Sequence, residues 1–168
     1  MAKKYNLLEL LQQNQEGDPD YVESCMASLT ALERKIIYIL HQANEPIKVS
    51  EIRNRLIEAE LNNVDKNTEL GKKIEKIKKQ ITGRHKMLAE IDKLLETDLP
   101  SFKTIETTLE QLEKDSIVLA KNTSSELSKY NWFLHPQIKT QMIKANKNLK
   151  REQNERLFGK QLARVFPV

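Results

Sequence analysis

Ser101-Phe102-Lys103-Thr104-Ile105-Glu106-Thr107-Thr108-Leu109-Glu110-Gln111-Leu112-Glu113-Lys114 runs through Asp115-Ser116 into Ile117-Val118-Leu119-Ala120. The stretch changes period once. Ser101 is an N-cap residue type, because its hydroxyl can accept from a free N–H of the first helical turn. Phe102, Ile105, Leu109 and Leu112 follow at spacings of 3, 4 and 3, which predicts a helix with these four side chains inward. After Ser116 the apolar residues become continuous and β-prone. Asn122-Thr123-Ser124-Ser125 is a polar loop. Tyr130-Asn131-Trp132-Phe133-Leu134 then alternates, with Tyr130, Trp132 and Leu134 on one face, and Pro136 stops it. The prediction is a helix followed by a two-stranded hairpin.

Upstream, two more helices are predicted. Thr30 and Glu33 have the spacing of a capping box. Leu32, Ile36, Ile37, Ile39 and Leu40 follow at helical spacing, ending near Ala43-Asn44 before Glu45-Pro46. Ile47-Lys48-Val49 can be extended. Ser50 is the expected cap of the next helix, with Ile52, Leu56, Ile57 and Ala59 on its core face. The order is helix, helix, helix, hairpin.

Thr104 to Lys114 with Ile117-Val118 resembles the recognition helix and first wing strand of winged-helix regulators. The multiple-antibiotic-resistance-type and phenolic-acid-responsive repressors are the similar groups. Leu29-Thr30-Ala31-Leu32-Glu33 and Pro46-Ile47-Lys48-Val49-Ser50-Glu51-Ile52 resemble the openings of the first two helices. The resemblance covers residues 29–60 and 101–135. It implies a mainly α winged helix-turn-helix fold with a small β-hairpin. Two features depart from the pattern. Asp115-Ser116 stands where glycine or asparagine usually follows the recognition helix, the position that favours a left-handed residue. About forty residues also separate two helices that a short turn normally joins.

That insertion, residues 61–100, has its own pattern. Leu70, Ile74, Ile77 and Ile81 are spaced 4, 3 and 4, and Leu88, Ile91 and Leu95 are spaced 3 and 4. One helix across Thr82-Gly83 is an alternative, since the heptad phase nearly survives as in a coiled coil. It would be about 43 Å long at 1.5 Å per residue. Its flanks span at most about 40 Å when fully extended. An antiparallel helical hairpin turning at Thr82-Gly83 needs no such stretch and is the favoured reading, with arms 68–81 and 84–96.

Residues 1–28 read as an N-terminal helical extension, with Tyr5, Leu8 and Leu11 on one stripe and a loop at 15–20. Asp18 or Asp20 is the expected cap of a helix through Tyr21-Val22. Residues 136–168 read as a long C-terminal helix and tail, with Ile138, Met142, Ala145 and Leu149 on one stripe. In winged-helix proteins such a helix often serves dimerisation. Isolated apolar stripes need a covering surface, so Ile138, Met142, Leu149, Leu8 and Leu11 are the candidate homodimer residues.

Composition removes several function classes. Four glycines among 168 residues leave little material for phosphate-cradling loops. No serine sits in a nucleophile elbow, and Cys25 and the histidines His41, His85 and His135 lack metal-ligand spacing. No catalytic residue, metal or cofactor is expected. No apolar run approaches the roughly 20 residues of a membrane span. The N-terminus lacks the apolar region of a signal peptide, and a lone cysteine suits a reducing compartment. An intracellular protein, cytoplasmic or nucleoid or nuclear, is expected.

Charge is segregated. Residues 1–64 carry 7 basic and 10 acidic residues, net −3, and residues 65–86 carry 8 and 3, net +5. Residues 87–120 carry 3 and 8, net −5, and residues 121–168 carry 10 and 3, net +7. Two basic segments point to an anionic partner, and with the winged-helix resemblance to double-stranded DNA. Thr and Gln can read base edges and Lys can meet phosphate. The DNA-contact candidates are Lys103, Thr104, Thr107 and Gln111 on the third helix. Lys72, Lys73, Lys76 and Lys79 on the insertion and Lys121 and Lys129 on the wing complete the set. Lys78, Arg84 and Lys86 add to the basic arm. The plain alternative for the lysine run is a solvated helix face. The acidic third helix also fits a second use, a winged-helix module that docks a protein in a multisubunit assembly.

Overall fold

The computed structural model describes residues 19–62, 64–95, 99–121, 130–146, 155, 156 and 158. Over these the chain is mainly helical with one small antiparallel sheet. In chain order the elements are α1 (Pro19–Met26), α2 (Ala31–Gln42), α3 (Val49–Leu61), α4 (Glu69–Gln80) and α5 (Arg84–Leu94). They continue as α6 (Phe102–Lys114), β1 (Val118–Lys121), β2 (Asn131–Leu134) and α7 (Pro136–Asn146).

The capping box at α2 is formed: Glu33 N–H donates to the Thr30 hydroxyl at 3.1 Å, and Thr30 N–H donates to Glu33 Oε1 at 3.0 Å. Every residue from Ile36 to His41 is buried. A helix stretch buried on all sides belongs at the centre of a core, and here it packs against α3, α6 and β2. Ala43 caps its end, and the Lys139 ammonium of α7 donates to the Ala43 carbonyl at 3.0 Å. A cation there meets the negative end of the helix dipole.

The sheet pairs Val118 with Leu134, Leu119 with Phe133, Ala120 with Trp132 and Lys121 with Asn131. The two-residue period places Val118, Trp132 and Leu134 on the core side, where all three are buried. The extended piece before α3 joins them. Ile47 N–H donates to Trp132 O at 3.0 Å, and Trp132 N–H returns to Ile47 O at 2.7 Å.

The turn from α6 to β1 shows why Asp115-Ser116 serves without glycine. Ser116 takes φ 58°, a left-handed conformation. Its N–H donates to Glu113 O at 2.9 Å, and Ile117 N–H donates to Leu112 O at 3.0 Å. These are the two bonds of a Schellman motif, completed by apolar contact between its outer residues; Leu112 and Ile117 are both buried.

The insertion is two helices. α4 ends at Gln80, Ile81 is extended, and α5 starts after Gly83, whose φ of 102° favours glycine. The continuous helix is thereby excluded. Ile74, Leu88 and Ile91 form a second, smaller cluster with Ile57 of α3. Gly71 fits because it has no side chain: a Cβ there would lie 2.1 Å from the Asp65 carbonyl oxygen.

Five sequence expectations need correction. Phe102 is 50% exposed, not inward; α6 enters the core only from Ile105, and Arg53 occupies the space beside the ring. Ser50 does not cap α3, which begins at Val49 with Lys48 as N-cap and no capping side chain. The bridge at Ile47 and the burial of Val49 set the chain's entry instead. Asp20 lies inside α1 rather than capping it. Ile138 and Met142 are buried at 0% and 2% within this chain's own core. They therefore offer no apolar surface to a second copy. Arg84 is withdrawn from the free basic surface by carboxylates, as described below. Leu8, Leu11, Leu149 and Lys129 lie outside the described residues.

Candidate nucleic-acid interface

Two surfaces carry the candidate residues. The first is the outer side of α6. Ile105, Leu109 and Leu112 are fully buried, so helical period turns Lys103, Thr104, Thr107, Gln111 and Lys114 outward, and all five are exposed. Ser101 caps the helix by accepting from Thr104 N–H at 3.2 Å. The Thr107 hydroxyl donates to Lys103 O at 2.9 Å, and the Thr108 hydroxyl donates to Thr104 O at 2.8 Å. Each hydroxyl has one proton. Thr107 as it stands therefore presents an acceptor outward, suited to a base amino group. Glu110 and Glu113 are exposed on the same helix and Glu106 is half-buried, leaving α6 with two lysines against three glutamates.

The second surface is α4. Spacings of four and three place Lys72, Lys76 and Lys79 on one stripe with Lys73 beside it. All four are exposed, opposite buried Ile74. None has a carboxylate within ion-pair distance among the described residues. Lys78 differs: it lies 3.5 Å from Glu75. Lys121 is exposed as the last residue of β1, paired in register with Asn131, the first of β2.

Two arginines fix the second surface to the first. Arg84, opening α5, donates to Glu51 at 2.8 Å and also to Glu58, both on α3. Burial pushes the Glu51 carboxyl up, but hydrogen bonds and charge from Arg84 and Arg55 outweigh it and hold the carboxyl below its ordinary value. The Arg84 guanidinium is held protonated, chiefly by its bond to Glu51. Arg53 of α3 pairs with both carboxylate oxygens of Asp92 on α5 and donates to Pro100 O at 3.1 Å. Its guanidinium also stands 5.3 Å from the Phe102 ring centroid. A single side chain thus ties α3 to the hairpin, to the segment entering α6, and to the first residue of α6.

These clamps leave no periodic signal in the sequence. Glu51, Arg53 and Glu58 sit 26 to 39 residues from their partners, beyond any helical periodicity. Their only local trace is alternating charge on α3.

Other chemistry finds no matching arrangement. Among the described residues, no group of three or more His, Cys, Asp or Glu is placed to hold a metal. No described helix is long and apolar enough to cross a membrane. A shallow groove of about 210 Å³ lies between Leu40, Pro46, Phe133 and Lys139, below the roughly 300–1,000 Å³ of ligand pockets. His41 is buried, and burial first, then the Lys139 charge, lowers its pKa from 6.5 to about 4.

No protein-family model, curated protein or solved structure matches the chain.

Proposed function

We propose that this chain is a winged-helix protein that binds duplex DNA, as transcriptional regulators do, and that its inserted hairpin supplies much of the phosphate contact. The observation that carries the reading is the stripe of Lys72, Lys73, Lys76 and Lys79. It is exposed, free of described carboxylates, and mounted on the helix that packs against α5, which in turn packs on α3 beside α6. The order of elements supports the winged-helix assignment: α2, the Ile47 bridge, α3, α6, then β1 and β2. Residues 29–60 and 101–135 are the winged domain in this reading, and 61–100 interrupts its helix-turn-helix.

In that geometry α3 crosses the backbone, and the first turns of α6 meet base edges in the major groove. Lys103, Thr104, Thr107 and Gln111 are the groups available there. Glu106, Glu110 and Glu113 oppose close approach to phosphate, so α6 alone is a poor electrostatic anchor. The lysines of the hairpin offset this. Each phosphate contact contributes about 0.9 to the slope of log affinity against log salt.

The glutamates favour a second reading, a docking module for a basic protein surface. Fluorescence anisotropy with a random-sequence duplex separates the two. The DNA reading expects binding that weakens about 150-fold or more between about 50 and 200 mM salt, from four lysine contacts. No binding at the lower salt rejects it in favour of the docking module.

A further inference from the structure

We infer that Phe102 reads the C5-methyl group of a thymine in the major groove. The inference rests on the DNA-binding reading above and names a specificity residue within it. Single exposed apolar residues are ordinary on protein surfaces, so exposure alone decides nothing. Three features set Phe102 apart. It is the first residue of α6, flanked by exposed Lys103 and Thr104, in the turn that a helix-turn-helix protein presents to base edges. It is 50% exposed, while the next inward positions, Ile105 and Leu109, are fully buried. The ring also has a fixed support, because the Arg53 guanidinium stands 5.3 Å from its centroid.

That arginine is not free to swing toward phosphate. Its Nε donates to Pro100 O at 3.1 Å and its terminal nitrogens hold Asp92. With its charge matched by Asp92, it serves as a platform. A cation over an aromatic face is attractive, and a ring held from one side loses little rotamer freedom when it meets a ligand. The ring's remaining surface is apolar, lacks a donor or acceptor, and is bordered by Lys103. Among base edges in the major groove, thymine alone presents a methyl group, and phenylalanine is among the side chains that contact it.

The test uses the full chain. Bound duplexes are first selected from a random-sequence pool. Each thymine in the enriched site is then replaced singly by deoxyuracil, which removes only the methyl group. The parent should lose about fourfold in affinity at one position, as burial of one methyl-sized group implies. Phe102→Ala should bind thymine and uracil forms equally there. Phe102→Leu, which keeps an apolar side chain, should retain part of the discrimination and guards against a folding defect in the alanine variant. The Lys72, Lys73, Lys76 and Lys79→Gln variant should bind all forms more weakly with the thymine-to-uracil ratio unchanged. A parent that binds duplex with a ratio of one at every thymine overturns the inference alone. So does a Phe102→Ala variant that keeps the parent's ratio. A parent that retains no duplex overturns the inference together with the DNA reading, and leaves Phe102 as an exposed anchor for a protein partner.

Discussion

Helix α3 faces two packing regions that are held together differently. Ile52, Leu56 and Ala59 join the large cluster around Ile36, Leu109, Val118 and Trp132. Ile57 joins Ile74, Leu88 and Ile91 under the hairpin. The large cluster gathers residues from helices, both strands and the Ile47 bridge, so its contacts are long-range and mutually dependent. The hairpin depends on a few aliphatic side chains and on the ion pairs of Arg53 and Arg84. A fully buried aliphatic side chain contributes about 1.5–3 kcal/mol, whereas exposed ion pairs such as those of Arg84 contribute about 0–1 kcal/mol. The hairpin should therefore open locally while the main core stays folded, which is how low-stability units behave in native proteins.

Truncation on each side tests the difference. Trp132→Ala should destabilise the whole chain by about 4 kcal/mol, a large part of the roughly 5–15 kcal/mol of a typical domain. Chemical denaturation should show one cooperative transition at lower denaturant. Leu88→Ala should cost about 2–3 kcal/mol, confined to the hairpin. Hydrogen exchange should then accelerate over 69–94 and remain slow in Ile36–Leu40. Equal acceleration in both places would make the two regions one cooperative unit.

Acid should separate the regions by their onset. His41 has a folded-state pKa of about 4 against 6.5 for the free side chain. Between those values the unfolded chain takes up a proton that the folded chain refuses. The main region is therefore most stable above pH 6.5 and loses stability as pH falls toward 4, by about 3 kcal/mol at the low end. His41→Gln should flatten that slope. Glu51 behaves later: its folded pKa lies below its ordinary value of 4.5, so the stabilisation from its pair with Arg84 is present above that pH and lost below it. Denaturation curves between neutral pH and pH 4 follow the first effect, and exchange in the hairpin at lower pH follows the second.

Much of the main region was legible because its signals are local. The Thr30–Glu33 box, the Phe102/Ile105/Leu109/Leu112 stripe and the Trp132/Leu134 alternation each depend on residues close in sequence, and each forms as expected but for Phe102. Gly83 marked the turn of the hairpin for the same reason. What escaped depends on tertiary contact. Nothing near Phe102 announces that Arg53, 49 positions away, stands beside its ring. The stripe of Ile138 and Met142 was visible, but a stripe does not say whether its cover comes from the same chain or another, and here the chain's own core supplies it. Of the candidate site, the exposed lysines, threonines and glutamine were readable from period alone, whereas the exposure of Phe102 and the withdrawal of Arg84 into an ion-pair cluster were not.

The smallest expected effect lies at the α6–β1 turn. Ser116 takes a left-handed conformation that costs a residue with a Cβ about 1–2 kcal/mol. Glycine removes that cost but loses more entropy on folding. Ser116→Gly should therefore raise stability by about 0.5–1 kcal/mol, read as a higher denaturation midpoint with unchanged slope. A fall would mean that the serine side chain contributes to the turn.

The central claim is that the hairpin, more than α6, carries the phosphate contacts. It is tested by the salt dependence of duplex binding for the parent, for Lys72, Lys73, Lys76 and Lys79→Gln in one variant, and for Lys103→Ala with Thr107→Ala in another. The hairpin variant should lower the slope of log affinity against log salt by about 3.6, from about 0.9 per lost contact, and the α6 variant by about 0.9. A hairpin variant that keeps the parent's slope and affinity, beside an α6 variant that loses all binding, would contradict the account.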